Sequence, residues 1–220
     1  MHISGSHCPF LTALVLFHII EKTAKRIVHM RSIDQLKIDR IHKATMDIVY
    51  REGFDNISLR QIAQIAKVSS GTPYVYYKDK QDLLTSLYYL CLNHISEGLQ
   101  DSVNLAVSPK EKLYAWVFQM VCKFCDIPLM VKYVIEFYRQ PNLFTEEVKE
   151  RYFSAFLSLD SLCKDAISSG QAKTSDPMLM QTMLLSPVMR LFDEYDGRED
   201  QFDPSIYEEC VRLSVDSVMY

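Results

Sequence analysis

A chain of 220 residues with 48% apolar content is long enough for one large domain or two small ones and has ample material for a core. Six Gly and eight Pro are too few for a disordered or loop-rich chain, and six scattered Cys do not form the dense framework of a secreted disulfide protein, so a reducing cytoplasm is expected. The net charge of −4 is uneven: residues 1–29 carry +2, Met30–Asp82 carry +2 (nine Lys and Arg against seven Asp and Glu), and residues 83–220 carry −8. A cationic first third on an acidic remainder suits a small nucleic-acid module joined to a larger body.

The N-terminal apolar run Phe10–Ile20 has eleven residues, whereas a membrane span needs about 20. No Lys or Arg precedes it, and Glu21–Arg26 follows where a secretory signal would place small residues, so no export signal is read. The first helix is expected from about Asp34 to Glu52, with Ile38, Ile41, Thr45, Ile48 and Val49 on its apolar face and Gly53 at its end. Phe54 and Ile57 bracket polar Asp55-Asn56 and pin the connection back into a small core.

From Ile57 to Leu84 the spacing predicts two short helices joined by a tight turn and followed by a third. Ser58 and Gln61 have capping-box spacing, and Ile62, Ala63, Ile65 and Ala66 form one apolar face about two turns long. Lys67 and Val68 make the turn, Ser69 is the next cap, and Gly71–Tyr77 is a second helix whose outward groups are hydroxyls, phenols and a nearby lysine. Groups of that kind suit phosphate oxygens and base edges, the arrangement of a helix-turn-helix. Asp79 caps a long helix expected from Lys80 to about Val103, with Leu84, Leu87, Tyr88, Cys91, Ile95 and Leu99 inward.

The rest reads as helix throughout. Ser108-Pro109-Lys110-Glu111 is a capping box, followed by the stripe Leu113, Trp116, Val117, Met120, Val121 and Phe124. Asp126–Pro128 breaks it, and Leu129–Arg139 resumes. Thr145 begins a helix expected to reach Gly170 with Val148, Tyr152, Ala155, Phe156, Leu159, Leu162, Cys163 and Ala166 on one face. Asp176-Pro177 opens a helix to about Leu191 with Pro187 inside it, and Asp203-Pro204 opens the last. In that last helix Ile206, Cys210, Leu213 and Val218 fall on one face and Val211 and Val215 on another. Two apolar faces on a terminal helix suggest a second subunit. The acidic Asp193–Asp203 stretch reads as a solvated loop.

The residues Phe54, Ile62, Ala63, Val68, Ser69, Gly71, Thr72, Tyr74, Tyr76, Lys80, Leu83 and Leu84 stand at the spacing of the DNA-binding domain of TetR-like transcriptional regulators, and the segment from Ile33 to Leu84 resembles that domain. Two positions depart from the family pattern: Lys67 where Gly is usual in the turn, and Pro73 in the first turn of the recognition helix. Both bear on the tilt of that helix. The resemblance implies an all-α protein with a three-helix helix-turn-helix head (residues 30–82) and a helical effector-binding and dimerisation bundle (residues 83–220). Residues 1–29 are then an extension upstream of a start at Met30, with an added helix packing on the body, or membrane contact or export, as alternatives.

The resemblance further implies that Arg60, Ser70 and Tyr74 face base edges, that Thr72, Tyr76 and Lys80 grip phosphates, and that Gly71 lets the backbone approach the duplex. It implies a homodimer on a palindromic operator, released by a small apolar or amphipathic effector. The candidate effector lining is Trp116, Met120, Phe124, Tyr133, Phe137, Tyr152 and Phe156, although an aromatic stripe at helical spacing is more often core. No cofactor, metal site or catalytic set is read. Alternatives are an adaptor working by protein or membrane contact, and a redox sensor using Cys122 and Cys125; His42 and His94 read as lone fillers.

Overall fold

The computed structural model describes residues 33–55, 57–195 and 204–220. The N-terminal extension, Asn56, Asp203 as a cap and most of the acidic loop before it lie outside the described residues. Arg31–Tyr220 is one compact unit.

Helix α1 (Ile33–Glu52) carries Asp34 in its first turn and Arg51 in its last, each placed favourably for the helix dipole. Ile41, Ala44, Thr45, Ile48 and Val49 turn inward, and the Thr45 hydroxyl donates to the Ile41 carbonyl at 2.8 Å. Gly53, at φ 75, stops the helix in the left-handed region, and buried Phe54 and Ile57 return the chain to the core.

The Ser58 hydroxyl caps α2 (Leu59–Ile65) by accepting from the Gln61 amide at 3.2 Å. The reciprocal half of the expected box does not form, because the Gln61 side chain donates instead to Glu52 at 3.0 Å and ties α2 to the end of α1. Ile62, Ala63 and Ala66 are buried as expected, but Ile65 is 45% exposed and Leu59 takes the inward place at the helix start. The turn is a Schellman motif: Val68 N–H bonds the Ala63 carbonyl at 3.0 Å and Lys67 N–H bonds Gln64 at 3.2 Å. Lys67 has φ 54 there, a left-handed geometry that a glycine takes with less strain.

Helix α3 (Thr72–Tyr76) is shorter than the expected Gly71–Tyr77. Ser69 does not cap a backbone amide; its hydroxyl meets that of Thr72 at 2.7 Å, and Gly71 occupies the N-cap position. Pro73 falls where an amide has no intrahelical partner, so its missing N–H costs little, and its ring is buried. Asp79 caps α4 (Lys80–Ser96), accepting from Asp82 N–H at 2.9 Å. All six apolar positions expected inward on this stretch are buried. The helix is nonetheless shorter than expected: Gly98 at φ 78 turns the chain, and only a 3-10 turn follows at Val103–Leu105.

Helix α5 (Pro109–Asp126) begins with the full reciprocal capping box of Ser108 and Glu111. It is buried on nearly all sides and packs against α6 (Pro128–Tyr138) and against the later helices Leu157–Ser168, Pro177–Tyr195 and Pro204–Val218, so it is the axis of the body. The break at Ile127 bends the chain by 105° into α6, which packs against both α1 and α4.

The single helix expected from Thr145 to Gly170 is two, α7 (Glu146–Ala155) and α8 (Leu157–Ser168). Phe156 leaves helical geometry with its ring edge-on to Trp116 and Tyr152, so the packing of a bulky aromatic overrides local propensity. Gly170, at φ 71, closes α8 in a second Schellman motif.

Helix α9 (Pro177–Tyr195) starts where the Asp176 carboxylate accepts from Met178 and Leu179 N–H, and it runs through Pro187. It packs along α10 (Pro204–Val218). The expected faces of α10 are partly reassigned. Val218 joins Tyr207, Val211 and Val215 in the core, while Ile206 and Leu213 are 38% and 54% exposed.

Candidate nucleic-acid interface

The candidate DNA-reading element is α3, five residues that cannot hold a helix in water by themselves. Its inward side is fastened by buried Pro73 and by Tyr77 just past its end. Its outward side is open: Tyr74 is 63% and Val75 74% exposed, with Ser70 and Gly71 exposed before them. Val75 was not singled out from sequence, because an apolar residue in that register reads as core.

Arg60 on α2, Lys67 in the turn and Lys78 and Lys80 beyond α3 are all exposed and supply cations around it. Thr72 and Tyr76 are half-buried. Tyr76 donates to the Asp34 carboxylate at 3.3 Å across to α1, so its phenol is held by the protein as well as open to solvent.

Gly71 is informative because the fold does not require it. Its φ of −82 suits any residue, and a Cβ built there meets nothing within 4 Å. Packing within the chain therefore gives no reason for glycine at the N-cap of the exposed helix, and a close approach from outside does.

The other set of candidate residues is in the body and does not surround one open space. Trp116, Met120, Phe124, Tyr133 and Phe137 are all buried, while Tyr152 and Phe156 are half-buried. Trp116 donates its indole N–H to the Ser158 hydroxyl at 2.9 Å, and Phe124 packs against Phe192 with ring centres 4.9 Å apart. Tyr133 donates to the Leu84 carbonyl at 3.0 Å, and its ring with Phe137 packs on Phe54 at 5.5 and 5.7 Å. Phe137 also stacks on Tyr88 at 4.3 Å. These two residues thus join α6 to the start of α4 and to the loop after α1, and serve the joint between head and body.

Tyr152 and Phe156 belong to an aromatic row that starts at the surface. It runs from exposed Tyr138 to Tyr152 at 5.5 Å, to Phe156 at 5.0 Å and on to Trp116 at 6.2 Å. Sequence reasoning also missed two body atoms that are enclosed without a hydrogen-bond partner, the Tyr88 hydroxyl and the Gln119 side-chain carbonyl.

Cys122 is buried and Cys125 exposed, and neither is in a disulfide. Among the described residues no three His, Cys, Asp or Glu are grouped to hold a metal ion, and no single helix is long and apolar enough to cross a membrane.

A short exposed helix, set by a tight turn against a second helix and ringed by Arg and Lys, defines a helix-turn-helix DNA-binding protein. Residues 41–87 match the family model described as bacterial regulatory proteins, tetR family. The fatty acid metabolism regulator protein of Bacillus subtilis is 23% identical over 172 residues, covering 76% of this chain and 87% of that protein. A TetR family transcription regulator from Marinobacter aquaeolei has the same fold, with a TM-score of 0.76 at 24% identity over 86% of this chain and 99% of the other. The Bacillus subtilis regulator FadR, solved with stearoyl-CoA, aligns with a TM-score of 0.64 at 21% identity over 80% of this chain and 97% of the other. Residues 41–87 thus match the DNA-binding module of the tetR family of regulatory proteins, and the chain has the fold of a solved TetR family transcription regulator.

Proposed function

We propose that the protein is a ligand-released repressor that binds a palindromic operator as a homodimer in the cytoplasm, with residues 30–82 as its reading head and 83–220 as its regulatory body. Arg60, Ser70 and Tyr74 address base edges, Thr72, Tyr76 and Lys80 hold phosphates, and Gly71 admits the DNA backbone. The observation that carries this reading is the outward side of α3, exposed at every position from Ser69 to Gly71 and again at Tyr74 and Val75, beside a glycine the fold does not need. Gly71→Ala is therefore expected to weaken binding to a duplex selected from a random library by about tenfold or more, the cost of displacing a close backbone contact. Unchanged affinity in a gel shift at physiological salt would count against the roles given to α3.

The second subunit is expected on α9 and α10. Met178, Leu179, Met183 and Met189 on one helix and Ile206 and Leu213 on the other remain exposed although the two helices pack together. A monomer has no use for that many outward apolar side chains on one helix pair.

The effector is proposed to be a long-chain acyl thioester, by similarity to the regulator solved with stearoyl-CoA and to the fatty acid metabolism regulator. The aromatic row from Tyr138 to Trp116 offers an apolar entry, and the unpartnered Tyr88 hydroxyl and Gln119 carbonyl offer polar contacts once the row parts. Release follows from linkage. A ligand that prefers a body geometry in which the two heads are wrongly spaced weakens DNA binding by its differential affinity, commonly about 1–3 kcal/mol. Stearoyl-CoA is expected to raise the apparent Kd for the selected duplex about fivefold to hundredfold; no change with stearoyl-, palmitoyl- or oleoyl-CoA would remove the effector class while leaving the DNA reading intact.

A further inference from the structure

We propose that His42 is a positioning residue for the recognition helix: through its hydrogen bond to Tyr77 it sets the angle at which α3 is offered to DNA, and so the preference for one sequence over another. The proposal rests on the reading of α3 as the element that enters the duplex. It goes beyond that reading by placing a specificity determinant on a different helix, in a residue that touches no DNA.

The physical reason begins with the shortness of α3. Near its ends the backbone supplies Tyr74 N–H to the Gly71 carbonyl at 3.2 Å and Tyr77 N–H to Pro73 at 2.9 Å, too little to orient five residues alone. Orientation has to come from side chains fixed to the rest of the head. At the start of α3 the Pro73 ring is buried. At the far end Tyr76 reaches Asp34 at 3.3 Å, and the Tyr77 hydroxyl meets His42 Nε2 at 2.5 Å. Both partners lie on α1, eight positions apart, so α1 acts as a rail to which the C-terminal end of the recognition helix is fastened twice.

The Tyr76–Asp34 bond is exposed, with the weaker grip that solvent allows. The His42–Tyr77 bond is enclosed, His42 at 8% and Tyr77 at 9% exposure, with ring centres 6.0 Å apart. Away from water this bond is the more restrictive of the two, and breaking it leaves a polar atom without a partner. A change of a few degrees in α3 moves Ser70 and Tyr74 relative to base edges while leaving general attraction to phosphate nearly intact. The pair therefore governs selectivity more than bulk affinity.

The groups that face this pair are few. Asp39 lies one turn before His42 on α1, where its carboxylate accepts from Gln35 at 3.0 Å. Asp82 lies at the start of α4 near Tyr77 and accepts from Lys78 N–H at 2.8 Å. Burial holds the His42 imidazole below its ordinary pKa, with Asp39 pulling the other way, and burial together with Asp82 pushes the Tyr77 phenol up to about 12. The phenol is thus always protonated, and the imidazole is neutral at pH 7.5. Because the folded-state pKa of His42 is depressed, the unfolded chain takes up the proton first as pH falls below about 6.5. The contribution of this pair is complete above that pH and is lost on acidification through the interval beneath it. Protonation also forces Nε2 to donate, so the phenol must accept and turn its own hydrogen elsewhere. Among the described residues His42 is the histidine of the head, and His94 lies far along α4.

The test compares the wild type with the double variant His42→Leu/Tyr77→Phe, in which two apolar side chains replace the bonded pair. Each is titrated with the selected duplex and with a random duplex of equal length, between pH 7.5 and 5.5 and at fixed salt, with thermal melting recorded in parallel. The expected result is a double variant that melts close to the wild type and binds the random duplex equally well, but whose preference for the selected duplex is about fivefold to tenfold smaller. Any loss of preference by the wild type on acidification is expected to set in only below about 6.5, where the burial-lowered His42 takes up its proton, and to be absent from the double variant. A double variant with full preference, or a loss of preference on acidification that the double variant shares with the wild type, would overturn the proposal. Should the double variant melt early, the duplex preference of Tyr77→Phe alone, which removes the bond to His42, decides the same question. If the wild type shows no preference among duplexes at any pH, it is the DNA-reading role of α3 that fails, and not the part given to His42.

Discussion

Leu213→Glu is expected to turn the protein into a monomer that no longer holds its DNA site. Leu213 is 54% exposed in the middle of α10, one turn from half-buried Cys210 and two from exposed Ile206, against a helix that itself displays Met178, Leu179, Met183 and Met189. In a two-fold interface each substitution enters twice, so two carboxylates would be driven into one apolar contact. Central apolar positions of such interfaces are commonly worth about 2 kcal/mol or more each, and the unpaired charges add to that loss. A dimer dissociation constant raised by at least about a hundredfold is expected, with loss of the selected duplex at concentrations where the wild type is saturated. The fold should survive, because the side chain is outward. Sedimentation velocity gives the mass, circular dichroism the helix content, and a gel shift the affinity. A variant that remains dimeric would move the interface away from α10.

Phe54→Ala is expected to destabilise the protein by about 3–5 kcal/mol, which for a chain of this size lowers the melting temperature by roughly 10 °C. Phe54 follows α1, yet its ring packs edge-on to Phe137 at 5.7 Å and tilted on Tyr133 at 5.5 Å, both on α6. Tyr133 reaches on to the Leu84 carbonyl, and Phe137 stacks on Tyr88, both on α4. Removing one ring therefore opens a cavity at the point where α1, α4 and α6 meet, and loosens the joint through which the proposed effector coupling would pass. Phe54→Leu, which keeps most of the volume, should cost less than half as much. Urea denaturation of both variants checks the stability. The response of DNA binding to stearoyl-CoA, expected to be blunted in Phe54→Ala even where it remains folded, checks the coupling.

Much of the local architecture was legible because the signals that start helices are short-range. Ser58, Asp79, Ser108, Thr145 and Asp176 stand within three residues of the amides they bond, and each caps the expected helix. Helix ends were less legible. Gly98 stops α4 early although the apolar pattern continues to buried Leu99, and Phe156 splits a stretch whose apolar pattern runs on at helical spacing, where its ring meets Trp116 forty residues before it.

The same distinction holds for function. The place of α3 in the chain could be read from spacing because the motif is contiguous. The His42–Tyr77 pair spans 35 residues and could not, since neither partner is unusual until the other is beside it. Aromatic residues of the body could be named but not sorted. Tyr133 and Phe137 belong to the joint with the head, while Tyr152, Phe156 and, at its inner end, Trp116 lie on the row that reaches the surface.

The central claim is that α3 enters a duplex while a paired body sets the distance between two copies of it. Selection of duplexes from a random library by the full-length protein, followed by sequencing, measures this most directly. Two inverted half-sites at one fixed separation, near a whole number of helical turns of about 10–10.5 base pairs, are expected. Enrichment of a lone half-site, or of no sequence at all, would contradict it.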